Sequence, residues 1–401
     1  MLSAVLIALL LLTPGTGVLA VGEEDDGAEP VTLFVATDLH YLAPELTDDG
    51  EFYRKMVQNG DGKAMEYCEE LMDALIEQVI DLHPNALILS GDLTFNGEQL
   101  SHIALAEKLQ QIEDAGIPVL AIPGNHDLEN PRAASFQGDG YSYVDSIDAE
   151  QYAEIYAPFG LDDALARDDA SLSYVAEVTP SLWALMLDVN ADGSGTVTAP
   201  TLQWVEQQLQ RAAQEGVHVL AVSHQNLLKH NSLFVYGYVI GNRTPLLELY
   251  EKYGVICNLS GHIHMQRTSQ SDNGLPEIVT SSLMVWPNHY GVLTLEGTQA
   301  QYCAVSAAEN RPELAEATHS FFWDNAYRQG LDASDGEDAE ALARFFADVN
   351  TAYFAGQIDQ VEWDDGLLQS WKEKKSFLSA YLQTIPDEGF QNHTEYSFAF
   401  N

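Results

Sequence analysis

Positive charge is scarce in this chain of 401 residues: 17 lysines and arginines stand against 61 aspartates and glutamates, a formal net charge of −44. Nucleic acids and anionic membrane surfaces are gripped mainly through Lys and Arg, so this balance excludes a nucleic acid polymer or another polyanion as partner. Cysteine is scarce as well. With only Cys68, Cys257 and Cys303 there is no disulfide framework of the kind that staples small exported proteins, and their spacing makes no thiolate cluster for zinc. Cys68 falls in a helical pattern and the other two in apparent strands, and all three are expected to be buried thiols. Internal repeats are absent, and the only biased tract is the acidic stretch at 21–30, which reads as a spacer.

Basic residues are missing even ahead of the apolar run LSAVLIALLLL at 2–12. The run has the length of a signal-peptide core and is followed by Val18-Leu19-Ala20, a small-residue cleavage site, so residues 1–20 are expected to be a signal peptide. That implies a secreted or extracytoplasmic protein with no stable membrane insertion once cleaved; an uncleaved run would act as an anchor instead. No cysteine follows the site, so lipid attachment there is not indicated.

What the chain does have is a series of short runs rich in Val, Ile, Leu and Ala: VTLFVATDLH at 31–40, NALILSGD at 85–92, IPVLAIPGNHD at 117–127, VHVLAVSH at 217–224 and GVICNLSGHIH at 254–264. Each reads as a strand buried on both faces, and each ends in acids, amides or histidines. In open α/β sheets ligands bind outside the carboxyl ends of the strands. The pattern therefore gathers Asp38, His40, Asp92, Asn125, His126, His224, His262 and His264 along one rim.

These residue types suit a pair of cations. Asp38, His40, Asp92 and His264 make one set; Asp92, Asn125, His224 and His262 make a second, with the Asp92 carboxylate shared. Hard oxygen ligands mixed with imidazole, and no thiolate, point to Fe, Mn or Zn and away from Ca. Two divalent ions, two aspartates and a bridging hydroxide leave a net positive charge of about one, which favours a phosphate ester. Such a pair binds phosphoryl oxygens and holds hydroxide for in-line attack. His126, beside Asn125 and not needed as a ligand, is free to protonate the leaving oxygen. Asn96, Arg132 and His230 fall on rim loops and are candidates for touching substrate, as are Tyr41, Asn226 and His289.

Strands alternate with helical patterns at 63–82, 102–115 and 201–214, which implies crossover units and a largely parallel framework. Further strands near 182–187, 277–285 and 291–295 suggest a second sheet packed on the first. Beyond residue 308 the pattern changes to amphipathic runs separated by Gly and Asp-rich breaks, so 31–308 is expected to be an α/β domain and 309–401 an appended helical one.

The blocks D-L-H at 38–40, G-D-L at 91–93, G-N-H-D at 124–127, the strand-end His224 and G-H-I-H at 261–264 resemble the ordered signature of the calcineurin-like metallophosphoesterases. DLHY, SGDLTFNGE, IPGNHD and the helical tail resemble, within them, a secreted bacterial branch of the class III cyclic nucleotide phosphodiesterases. That resemblance implies a four-layer αββα sandwich, a dinuclear centre on the residues named above, and a small phosphodiester as substrate, with 3',5'-cyclic nucleotides giving 5'-monophosphates. Serine/threonine phosphatases continue the second block as Asp-Arg-Gly, whereas Leu93-Thr94-Phe95-Asn96-Gly97 stands here. An exported phosphomonoesterase or 5'-nucleotidase and a non-catalytic, metal-containing surface protein are the alternatives.

Overall fold

The computed structural model describes residues 29–400; the expected signal peptide lies outside them, as does nearly all of the spacer. The chain enters through β1 (Val31–Ala36), makes helix α1 (Glu51–Gln58) and α2 (Cys68–Leu82), and returns as β2 (Ala86–Leu89). Helix α3 (Gln99–Asp114) leads to β3 (Val119–Ala121) and a hairpin of β4 (Ala134–Gln137) and β5 (Gly140–Tyr143). After α4 (Ala149–Ile155), strands β6 (Ala166–Arg167), β7 (Tyr174–Thr179) and β8 (Leu182–Leu187) precede α5 (Ala199–Glu215), β9 (His218–Ser223), α6 (Arg243–Tyr253) and β10 (Asn258–Ser260). Strands β11 (Arg267–Gln270), β12 (Pro276–Val279), β13 (His289–Glu296) and β14 (Gln299–Ser306) close the α/β part. The tail is α7 (Pro312–Ala333), α8 (Ala339–Phe354), α9 (Asp365–Lys374), α10 (Phe377–Glu388) and a last strand, β15 (Glu395–Ala399).

Two sheets result, in the orders β15-β14-β13-β1-β2-β3 and β11-β12-β10-β9-β8-β7-β6. Strands β1, β2 and β3 run parallel, as do β8, β9, β10 and β12. Alternate residues of the central strands face opposite sides, and both sides are apolar. Leu33, Val35, Ile88 and Leu120 of one sheet pack on Met186, Leu220, Val222 and Ile278 of the other. The outer face of the first sheet packs Phe34, Leu87 and Leu89 against Leu71, Leu75 and Val79 of α2 and Leu105 and Leu109 of α3. The second sheet turns Leu185, Leu187 and Ala221 to Val205 and Leu209 of α5 and Leu246 and Tyr250 of α6. The layers are helix, sheet, sheet, helix, the αββα sandwich. Local chemistry supports the elements: α5 starts at Thr198, whose hydroxyl accepts from Thr201 N–H, and stops at Gly216, where φ is +70°.

Four expectations change in the folded chain. The segment at 291–295 joins the first sheet, not the second, with Leu33 opposite Leu293; a strand's own periodicity shows which residues are buried but not which sheet it will join. The run at 277–285 is a strand only to Val279, because Thr280–Val285 turns beneath the rim, where Ser282 Oγ donates to Asp38 O at 2.8 Å. The tail is helical through Glu388 and then adds β15 to the edge of the first sheet, pairing with β14. Cys303, on β14, is exposed, whereas Cys68 and Cys257 are buried.

The tail has its own apolar centre, with Phe346, Trp371, Tyr381 and Leu382, and it continues into Ile263, Met265 and Val279 of the α/β part. Among the described residues no helix is long and apolar enough to cross a membrane.

Candidate metal centre

The rim forms where the carboxyl ends of β1, β2 and β3 in one sheet meet those of β9 and β10 in the other. Asp38 and His40 follow β1, Asp92 follows β2, Asn125 and His126 follow β3, His224 follows β9, and His262 and His264 follow β10. The loops turn sharply to do this. Asp38, His40, Asp92, His262 and His264 all have positive φ, between 41° and 70°. Non-glycine residues pay for that conformation, and it clusters where surrounding structure holds a functional geometry.

Two groups of donor atoms result, Asp38, His40, Asp92 and His264 in one and Asp92, His224 and His262 in the other, with every atom of a group within 4.8 Å of the rest. His40 Nε2 lies 3.1 Å from His264 Nε2, and Asp38 Oδ1 lies 3.3 Å from His264 Nε2. On the other side His224 Nε2 is 3.1 Å from Asn125 Oδ1 and 3.2 Å from His262 Nδ1. The two groups share the Asp92 carboxylate. Asp92 Oδ2 is 3.2 Å from His224 Nε2 and 4.0 Å from His40 Nε2, while Oδ1 is occupied by the His126 N–H at 2.8 Å. Asp38 Oδ1 is buried and has no hydrogen-bond partner. A buried acceptor without a donor, among imidazole nitrogens at contact distance, is the arrangement a cation completes.

Outer contacts decide which ring nitrogens point inward. His224 Nδ1 donates to Ser90 O at 2.9 Å, so that Nε2 is the nitrogen turned toward the rim. His262 does the reverse: Nε2 donates to Gly237 O at 2.9 Å and Nδ1 faces His224. His126 Nδ1 donates to Phe95 O at 2.8 Å, with Asn96 Oδ1 at 3.1 Å, so Nε2 looks toward Asp92 Oδ2 at 4.0 Å.

The charges are mutually adjusted. Burial opposes ionisation of Asp92, but His224 and His126 beside it more than offset this and hold the carboxyl well below its usual range. Asp38 is treated the same way by His264 and His224 and is lowered too. Burial disfavours the imidazolium of His224, yet Asp92 and Asp38 raise it to about 9. Burial and the neighbouring His224 push His262 down to about 4. Carboxylates kept ionised among imidazoles attract a cation even before it arrives.

Glycine is required here by close approach. A Cβ on Gly124 would stand 2.2 Å from the Asp92 amide nitrogen, and one on Gly261 would stand 2.0 Å from Thr37 Oγ1. Two residues that the sequence placed in the G-N-H-D block and among the rim-loop candidates act as supports, a role it did not assign to them. Asp127, buried, accepts from Leu93 N–H, Thr94 N–H and Gly124 N–H at 3.1, 2.9 and 2.7 Å, tying two loops of the rim together. Asn226, buried as well, donates to Gly261 O at 2.9 Å and steadies the Gly-His-Ile-His turn.

The substrate candidates separate. Asn96 contacts His126, as above. Arg132 is exposed, and its contact is a backbone N–H to Asn130 Oδ1 at 3.0 Å. His230 turns inward rather than to the rim, with Nε2 3.1 Å from buried Glu277, whose carboxylate also accepts the Leu227 and Leu228 N–H groups. A buried carboxylate must be paired, and that demand outweighs exposure of a loop imidazole. Tyr41 and His289 are buried too.

The profile of the family described as calcineurin-like phosphoesterase matches residues 31–266. The chain belongs to this family. A probable cyclic nucleotide phosphodiesterase of Moraxella catarrhalis strain BBH18 is 24% identical over 208 residues, 52% of this chain and 67% of the relative. Another of the same description, from Vesicomyosocius okutanii subsp. Calyptogena okutanii, is 35% identical over 68 residues, 17% of this chain and 28% of its own length. Among solved structures, a dimetal phosphatase from Danio rerio shares 14% identity at a TM-score of 0.49, covering 69% of this chain and 96% of its own. A purple acid phosphatase from yellow lupin shares 14% identity at 0.47, covering 71% and 52%. As a calcineurin-like phosphoesterase the chain is a metal-dependent phosphoric ester hydrolase, and its donor groups match that use of divalent ions.

Proposed function

We propose that the protein is a dinuclear-metal phosphodiesterase whose favoured substrates are 3',5'-cyclic nucleotides, cleaved to 5'-monophosphates. The observation that carries the reading is the single oxygen, Asp92 Oδ2, standing between two donor groups. Asp38, His40, Asp92 and His264 would hold one ion; Asp92, Asn125, His224 and His262 would hold the other. A bound pair supplies Lewis acidity toward phosphoryl oxygens and a nucleophile at neutral pH by acidifying water. The chain's own groups do the rest. His126, with Nδ1 held by Phe95 O, keeps its ring oriented and presents Nε2 as proton donor to the leaving ester oxygen. Asn96 fixes the same ring from a second side.

The choice of a diester, and of a cyclic nucleotide, is supported by the relatives described as probable cyclic nucleotide phosphodiesterases. Chelated protein is reloaded with Mn²⁺ and assayed on bis(p-nitrophenyl) phosphate, p-nitrophenyl phosphate and a panel of cyclic nucleotides. Metal-restored turnover of the diesters is expected. A marked monoester preference would replace this reading with a phosphomonoesterase, and no restored turnover on any ester would leave a metal-binding surface protein.

A further inference from the structure

In a chain so poor in positive charge, Lys63 is the only lysine buried among the described residues, at 8% exposure. Its ammonium lies 2.8 Å from Asp61 Oδ2, its one ionic partner among those residues, and Asp61 is itself open to solvent with 59% of its side chain exposed. An ammonium has three donors, so the pair leaves capacity unused. The ammonium sits 5.9 Å from the centre of the Phe95 ring, whose backbone oxygen orients His126. The residue after Lys63 is tied to the first donor group as well: Ala64 N–H donates to Met284 O at 2.7 Å, Met284 N–H donates to Ser282 Oγ at 3.1 Å, and Ser282 Oγ donates to Asp38 O at 2.8 Å. Lys63 therefore lies between the loop that orients His126 and the turn that holds Asp38.

The segment carrying Lys63 is held by the helical tail. Asn325 of α7 donates to Gln58 O and Gly60 O at 2.9 and 3.2 Å, and Arg328 donates to Gln58 O at 2.7 Å. Gly62, at φ +92°, lies so near the Phe322 ring that a Cβ would meet it at 2.8 Å. The far end is pinned where Ala64 N–H donates to Met284 O at 2.7 Å. A buried charge on a segment clamped at both ends is built to stay in place.

We propose that Lys63 is a substrate-binding residue, its ammonium taking a phosphoryl oxygen of the bound ester beside the donor cluster, and that helix α7 holds it there. This rests on the phosphoesterase reading above. The tail then serves the site as a buttress for one of its substrate contacts. The Asp61 carboxylate repels the phosphoryl oxygens that the ammonium attracts, so the two residues act in opposite directions.

Inorganic phosphate is titrated by calorimetry into the Mn²⁺-loaded full chain, its Lys63→Met and Asp61→Asn variants, and Asn325→Ala, with metal content and melting temperature measured on each. Loss of a charge-assisted hydrogen bond predicts phosphate binding weakened about tenfold or more in Lys63→Met, with KM raised and metal content unchanged. Asp61→Asn is expected to bind phosphate as tightly as the parent or more so. Equal weakening in both variants, or none in Lys63→Met, overturns the proposal, since a merely structural pair responds to loss of either partner alike. Asn325→Ala should weaken phosphate in the same direction by less, and an unchanged affinity there removes α7 from it. If the loaded parent protein itself binds no phosphate, the phosphoesterase reading is what fails.

Discussion

Asp127→Asn tests whether one buried side chain holds two loops of the candidate metal centre in register. The carboxyl group of Asp127 is fully buried and accepts four hydrogen bonds: Oδ1 from Thr94 N–H and Thr94 Oγ1 at 2.9 and 3.0 Å, Oδ2 from Leu93 N–H and Gly124 N–H at 3.1 and 2.7 Å. An amide has only one acceptor oxygen. If its NH₂ replaces Oδ1 it confronts the Thr94 N–H; if it replaces Oδ2 it confronts both the Leu93 and Gly124 N–H groups. At least one buried N–H is then left without an acceptor, at about 1–3 kcal/mol, and the bonds that survive lose their charge assistance. A total near 3 kcal/mol lowers the melting temperature by about 3–4 °C in a chain of this size. Leu93 directly follows Asp92, and Gly124 directly precedes Asn125, so the same change loosens both sides of the shared oxygen. Differential scanning calorimetry with and without Mn²⁺, together with metal stoichiometry after dialysis, reads both effects. A melting temperature within about 1 °C of the parent and full metal retention would show that Asp127 does not couple the loops.

Asp92→Ala should lose metal, whereas His126→Ala should keep it and lose turnover by about 10² to 10⁴; metal analysis alongside diester assays separates the two, and equal metal loss in both refutes the proton-donor role. Glu98 is fully buried, accepts the Asn96 N–H at 2.9 Å, and burial raises its carboxyl to about 7. Because the folded state holds that proton more tightly than the unfolded chain, stability falls as pH rises from about 4.5 toward 7, by an upper bound of about 3 kcal/mol. Glu98→Gln should flatten this part of the pH profile in urea titrations, and an unchanged slope would assign it to other groups.

What could be read from the linear chain was local. A buried strand needs a continuous apolar run, and a turn after it exposes polar groups, so VTLFVA ahead of Asp38 and HVLAVS ahead of His224 announce both the strand and the place where its chemistry sits. The αββα layering was legible through the resemblance carried by those same blocks. Element edges and sheet partners were less so. His289–Glu296 has the alternation of any half-buried strand, and nothing in it distinguishes pairing with β1 from pairing in the other sheet. Glu395–Ala399 is five residues whose sheet partners lie 92 to 100 positions away on β14.

Sequence alone determined which residue types stand at the strand ends, because backbone propensity and apolar periodicity act over a few neighbours. The folded chain decided everything that depends on distance in space: that Asp92 Oδ2 lies between two donor groups, that Ser90 O and Gly237 O select opposite nitrogens of His224 and His262, and that Glu277 draws His230 away from the rim. It also brought a lysine from the segment before α2 and a helix from the tail to the same place. Those choices come from packing and from the cost of leaving buried polar groups unpaired, which are settled only when distant segments meet.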